Sequence, residues 1–394
     1  MKNAIKRKHI KGKALFFIIL ILCTLMMVCN CALPAVASIN NSYNNFIATS
    51  IYQDANGINN YYIPQIVKQT DKSISTTNLT SYENLKLYAG GMPFGVKFYT
   101  SGITVIGFSD ISSNGIMENP ASESGIMEKD IITHVNKKLI ESSSDLTEAI
   151  EKSNGNPVKI TVLRQGKELT FVLLPKYSDS DGTYRSGMLV RDSGAGIGTV
   201  TFIVPSNNYF GGLGHGICSA ETGTLTLMRE GTINNVAING VKKGVPGTPG
   251  EVKGSFSGGT CGNMISNTEC GLFGKYSTLP ENISENLYSI RTKNNIHEGE
   301  AYILCTLGND GVQQYKVNIT NIDRTQTSSK CFSVTVIDEN LISRSGGIVQ
   351  GMSGSPIIQD GYIIGAVTHV LVNDPTQGYG IFIENMLRTL NEVS

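Results

Sequence analysis

The sequence predicts a mainly β chain, with two folded units behind an N-terminal leader and the larger, C-terminal unit a barrel or sandwich of short strands. Three features predict this. At 394 residues the chain is too long for one ordinary domain. Its β-branched runs are short and separated by Gly, Asn and Asp, and its 43 glycines supply the tight turns that such strands need. Helical periodicity is scarce, confined to Ser144–Lys152 and the stretch around Asn385–Leu390. Lys+Arg and Asp+Glu balance at 32 each, so no net field draws nucleic acid, and that partner is disfavoured.

Residues 1–37 read as a signal peptide or membrane anchor. Lys2, Lys6, Arg7, Lys8, Lys11 and Lys13 precede an apolar run from Ala14 to Val28, and Ala35-Val36-Ala37 offers small residues before Ser38. Basic residues ahead of the apolar run keep that end inside and place the rest of the chain across the membrane. Residues 38–87, rich in Asn, Ser, Thr and Tyr, read as a flexible spacer in which proteolytic release is sterically easy. Beyond the leader stand Cys218, Cys261, Cys270, Cys305 and Cys331, an odd number without a C-x-x-C pair, expected to serve mostly as small buried apolar residues. His215 and Cys218 are two ligand types without a visible second pair, so no metal and no cofactor is expected.

Residues 88–178 form the first predicted unit. Gly90-Gly91-Met92-Pro93-Phe94-Gly95-Val96-Lys97-Phe98 reads as a glycine-bracketed loop entering a strand, and Gly102–Phe108 as a second strand. A helix over Ser144–Lys152, capped by Ser144 or Asp145, precedes strands at Val158–Arg164 and Leu169–Leu174 joined by a turn at Gln165-Gly166-Lys167. With Asn119-Pro120-Ala121 and Gly125-Ile126-Met127-Glu128-Lys129-Asp130-Ile131-Ile132 between them, these elements resemble a PDZ domain. The resemblance implies that Met92, Pro93, Phe94, Gly95 and Val96 form a loop whose amides receive a peptide carboxylate, while a strand edge accepts the peptide as an added strand.

Residues 185–394 form the second unit. Within it Gly351-Met352-Ser353-Gly354-Ser355-Pro356 precedes a strand, and flanking glycines allow a tight turn that exposes the Ser353 hydroxyl. The amides of Gly351 and Ser353 are then candidates for an oxyanion hole. This segment resembles the nucleophile loop of chymotrypsin-like serine peptidases. A serine needs a base. His215, in Gly211-Gly212-Leu213-Gly214-His215-Gly216, is the candidate; His297 lies in a polar stretch, and His369 follows the strand after Ser353, where it flanks a substrate pocket. The acid that orients the base is open among Asp338, Asp323 and Asp310. Only fifteen residues separate Asp338 from Ser353, fewer than is usual for that fold.

Gly212-Leu213-Gly214-His215-Gly216-Ile217, Gly346–Ile358, Ala366–Val370, Val372–Thr376 and Val190–Gly198 together resemble the SpoIVB (stage IV sporulation protein B) peptidase family. That resemblance implies a triad of His215, Asp338 and Ser353 on a PDZ-like domain followed by a chymotrypsin-like β-barrel. It also implies an exported serine endopeptidase, made in the forespore and acting in the intermembrane space. Such an enzyme cleaves itself and then a membrane-protein regulator, which activates intramembrane processing of a sigma-factor precursor. The PDZ-like domain would hold it latent or guide it to its target. Two other classes compete: a non-enzymatic PDZ-containing scaffold with a degenerate peptidase domain, and a cysteine nucleophile at Cys218.

Overall fold

The computed structural model describes residues 47–53, 60–66 and 82, and residues 85–394 except 221 and 282. The predicted leader (1–37) lies outside the described residues, as does most of the spacer. Within the unit formed by residues 1–75, β1 (Ile47–Gln53) and β2 (Asn60–Ile66) pair antiparallel, so part of the predicted spacer is strand. No helix among the described residues is long and apolar enough to cross a membrane.

Residues 76–394 form the other unit. It opens with β3 (Lys86–Ala89) and β4 (Pro93–Phe108), then β5 (Ile111–Ser113), β6 (Ile116–Glu118) and the short helix α1 (Pro120–Glu123). β7 (Ile131–Val135), β8 (Lys138–Leu139), α2 (Ser143–Lys152), β9 (Val158–Arg164) and β10 (Lys167–Leu173) follow. Ser142, not Ser144 or Asp145, caps α2: its hydroxyl accepts from the Asp145 amide, and the Asp145 carboxylate accepts from the Ser142 amide. Ile103, Val105, Ile132, Leu146, Ile150, Ile160 and Val162 fill the core of this PDZ portion. Beneath it the buried Asp130 carboxylate holds Arg164 by two bonds of 2.7 Å and accepts the Met127 amide.

After β11 (Lys176–Ser178) and β12 (Thr183–Arg185) comes the long strand β13 (Met188–Ile203), then β14 (Tyr209–Gly212), β15 (Met228–Lys242), β16 (Glu251–Thr268) and β17 (Gly271–Tyr276). The cycle β13–β4–β15–β16–β17–β14–β13 closes into a barrel of six strands. Its core holds Phe94, Phe98, Val200, Phe210, Ile233 and Leu272, with the Phe94 and Phe210 rings edge-on at 5.6 Å.

The second barrel is built from β19 (Gly299–Cys305), β20 (Gln313–Thr320), β21 (Phe332–Val336), β22 (Pro356–Gln359), β23 (Tyr362–Leu371) and β24 (Asp374–Phe382). The cycle β19–β20–β21–β24–β23–β22–β19 closes it. β18 (Leu287–Ile290) ties the barrels together by pairing with β3 and β23. Helices α3 (Glu339–Ser345) and α4 (Ile383–Val393) complete the unit, α4 burying Met386, Leu387 and Leu390 against the barrel core.

One expectation is corrected here. The chain does not break after Phe98: β4 runs continuously, its second half in the PDZ sheet and its first half in the first barrel. Met92–Val96 therefore is not a free carboxylate-binding loop. The Gly90 and Gly91 amides donate to the carbonyls of Thr201 and Val200, Met92 accepts from the Val200 amide, and Phe94 and Val96 are buried in the barrel. The first half of β13 instead lies along the PDZ half of β4, Met188 opposite Phe108 and Arg191 opposite Thr104.

Candidate active site

A cleft of about 730 Å³ opens between the barrels, lined by residues that include His215, Gly351, Ser353 and His369. His215 follows β14, where Leu213 and Gly214 take left-handed backbone (φ 65° and 68°). A Cβ at Gly214 would stand 2.9 Å from a Thr368 methyl, and one at Gly216 would stand 2.2 Å from Leu225. Glycines on both sides of the histidine are therefore required by packing, not only by flexibility.

The Nδ1 atom of His215 lies 2.9 Å from the Gly216 carbonyl oxygen. A carbonyl only accepts, so the neutral ring carries its proton on Nδ1 and leaves Nε2 as a lone pair. Burial lowers the His215 pKa below the ordinary value, and the Gly216 bond opposes part of that shift. The ring is neutral at pH 7 and suited to accept a proton.

The serine loop is held mainly by β13. Thr199 donates its amide to the Ser353 carbonyl (3.0 Å) and its hydroxyl to the Gly351 carbonyl (2.7 Å), while the Thr201 hydroxyl donates to Gly354 (2.8 Å). Gly351 and Gly354 are left-handed, at φ 98° and 94°. A Cβ at Gly354 would lie 2.0 Å from the Thr199 oxygen. The amides of Met352, Gly354 and Ser355 are all spent on backbone carbonyls. Those of Gly351 and Ser353 have no hydrogen-bond partner among the described residues, which leaves both donors for a developing oxyanion. The Ser353 hydroxyl itself donates to the Thr368 carbonyl at 2.7 Å.

The expected third member is absent from the cleft. Asp338 is the N-cap of α3: one carboxylate oxygen accepts from the Asn340 and Leu341 amides and the other from the Lys316 amide. Asp323 is occupied by the amide and hydroxyl of Thr325, and Asp310 by Arg344. No carboxylate lines the cleft among the described residues. The groups that do meet His215 are the Gly216 carbonyl and the His369 ring, whose centroid lies 4.7 Å away at a 36° tilt.

His369 is half-buried, its Nδ1 atom enclosed and without a hydrogen-bond partner among the described residues. Its pKa is pushed down to about 4, first by burial and then by repulsion from His215 and Lys330. It stays neutral while His215 works. Of Met92 to Val96, only Val96 reaches the cleft. His297 is exposed and bonded to Asp360, as its polar surroundings suggested. Cys261, Cys270, Cys305 and Cys331 are buried, and Cys218 is exposed on the cleft wall. Burial and Glu269 raise the Cys218 pKa, the wrong direction for a thiolate nucleophile. Thr199, Thr201 and Gly216 had no local sequence signal beyond their glycine-rich surroundings.

The PDZ domain family matches residues 94–174. Among solved structures, the chain is similar to the PDZ domain of the SdrC-like protein from Listeria monocytogenes, at 22% identity over 23% of this chain and 87% of that one, with a TM-score of 0.20. It is also similar to the HtrA-type protease AlgW with decapeptide, at 11% identity over 52% of this chain and 54% of that one, with a TM-score of 0.31. The family described as SpoIVB peptidase S55 matches residues 182–387, more than half of the chain. The chain belongs to the SpoIVB peptidase S55 family, and it is a serine endopeptidase carrying a PDZ domain ahead of two catalytic barrels.

Proposed function

We propose that this chain is an exported, self-cleaving endopeptidase of sporulation signalling, with Ser353 as nucleophile and His215 as general base. The supporting observation is the cleft that both side chains line, with the amides of Gly351 and Ser353 left without a hydrogen-bond partner among the described residues. In the first step the Ser353 hydroxyl leaves the Thr368 carbonyl, turns to Nε2 of His215 and attacks the scissile carbonyl. His215 takes the proton and then delivers it to the leaving amine. The amides of Gly351 and Ser353 receive the oxyanion, each worth on the order of 100-fold or more in rate. Water then attacks the acyl-enzyme by the same proton path.

The Gly216 carbonyl and the His369 ring orient and support His215 in the place where a carboxylate is usual. His369 also flanks the pocket for the substrate side chain. The leader carries the chain across the forespore membrane into the intermembrane space, anchored there until it is cleaved. The substrates are the chain itself, within residues 38–87, and a membrane-bound regulator of an intramembrane protease.

Intact-mass spectrometry of residues 38–394 after overnight incubation, beside Ser353→Ala, tests self-cleavage. Trimming within residues 38–87 in wild type alone is expected. Equal trimming in both proteins would overturn it.

A further inference from the structure

We propose that the β15–β16 hairpin is a lock on the oxyanion hole, with the backbone amide of Val252 as the positioning group that aims the Gly351 amide into the cleft. The proposal rests on Ser353 being the nucleophile and names what sets one of the two donors beside it.

A trans peptide unit is planar, and its C=O and N–H point in opposite directions. The direction of an amide is therefore set by whatever holds the carbonyl of the residue before it. For Ser353 that carbonyl belongs to Met352, which accepts the Ser355 amide at 2.9 Å and the Ser355 hydroxyl at 2.6 Å. Ser355 is fully buried and lies in the same loop, so the loop itself fixes this donor.

For Gly351 the carbonyl belongs to Gln350, and its holder comes from the other barrel. The Val252 amide, near the start of β16, donates to it at 2.8 Å, and the Gln350 amide donates back to the Gly250 carbonyl at 2.9 Å. With the Gln350 carbonyl turned to the hairpin, the Gly351 N–H points away from it. Gln350 and Gly351 line the cleft and residues 242–252 do not, so that direction is the cleft side.

The hairpin reaches this position by packing on the segment that leads to the serine. The Gly244 amide donates to the Ser345 carbonyl at 2.8 Å, and the Gly247 amide to the Val372 carbonyl at 2.9 Å. A Cβ at Gly250 would lie 2.4 Å from the Gly244 nitrogen and 2.6 Å from a Val349 methyl. Glycine at 250 is what lets the hairpin close onto this segment. Val252 is buried, whereas the hairpin tip at residues 245–248 is exposed. Lifting the tip frees the Gln350 carbonyl, and rotation of that one peptide unit withdraws a donor while Ser353 and His215 stay in place. One oxyanion donor is thus built into the serine loop, and the other is conditional on the hairpin.

The test labels the full chain with diisopropyl fluorophosphate, whose phosphoryl oxygen takes the oxyanion position once bound to Ser353. It compares wild type with Val252→Pro and Gly250→Ala. The first removes an N–H that is turned to Gln350 and not to β15, and the second wedges the hairpin open. Each variant should be labelled about tenfold or more slowly, with the pH midpoint of labelling, set by His215, unchanged. The phosphorus resonance of each adduct should also move from the wild-type position towards that of the urea-unfolded adduct. Folded variants that keep the wild-type rate or the wild-type resonance would overturn the proposal. If neither variant folds, amide exchange in wild type decides. An occupied oxyanion hole and the lock favour one another, so labelling should slow exchange at Val252 and Gln350, and unchanged exchange would overturn the lock. A wild type that takes no label would instead overturn the Ser353 reading beneath it, so the two failures are distinguishable.

Discussion

Thr199 donates its backbone amide to the carbonyl of Ser353 at 3.0 Å and its hydroxyl to the carbonyl of Gly351 at 2.7 Å. One residue of the PDZ-linked strand thus holds both ends of the segment that carries the nucleophile and the oxyanion donors. Thr199→Val removes only the hydroxyl bond. It should lower kcat about tenfold, with a stability loss of about 1 kcal/mol, checked by turnover and urea unfolding.

Gly354→Ala should be far more severe. Its backbone is left-handed, and the added methyl would stand 2.0 Å from the Thr199 oxygen. A loss of about 2 kcal/mol or more is expected with activity down at least about 100-fold, measured by thermal unfolding and turnover.

Asp338 separates two roles by magnitude. As the α3 cap, Asp338→Asn keeps a good capping side chain and should leave kcat within a few-fold, while Asp338→Ala should cost about 1–2 kcal/mol of stability. A triad acid would lose about 10⁴-fold in kcat on the Asn change. Comparing kcat with the urea midpoint for both variants decides which role holds.

The pH dependence follows from the two histidines. Because burial lowers the His215 pKa, the acid limb of kcat/KM should have its midpoint below 6.5 and a plateau at neutral pH. For stability, the folded-state pKa of His369 is about 4 against an ordinary value of 6.5. Unfolding therefore takes up a proton between those values. Its contribution is fully present above about pH 6.5 and is lost as pH falls through about 4. His369→Leu should flatten the fall of the urea midpoint between pH 7 and 4, and an unchanged slope would contradict the assignment.

In the PDZ portion the Asp130 carboxylate is buried under Arg164. Asp130→Ala strands that cation and the Met127 amide, so a loss of about 3 kcal/mol or more is expected in calorimetry.

Much of this was legible locally. The strand at Val158–Arg164 and the turn after it follow from residue alternation and a Gln-Gly pair. Ser353 stands out because glycines bracket it, and His215 for the same reason. What escaped the sequence depends on distant partners. Tyr99–Gly102 reads as a break, yet β4 runs through it because β13 and β15 pair along it. Asp338 lies in the expected chain order for a triad, but the same Asp-Glu-Asn-Leu is also a helix start, and only the position of the Lys316 amide shows which use the carboxylate serves. Gly216 offers its carbonyl to the base, a backbone role that no side-chain motif can announce.

The central claim is that Ser353 is activated by His215 without a carboxylate from Asp338. Its most direct test is intact-mass analysis of wild type, Ser353→Ala and Asp338→Asn after treatment with a fluorophosphonate, with the labelled peptide sequenced. One adduct on Ser353 in wild type and in Asp338→Asn, at similar rates, and none in Ser353→Ala is the predicted result. An unlabelled wild type, or labelling lost in Asp338→Asn while the protein stays folded, would contradict it.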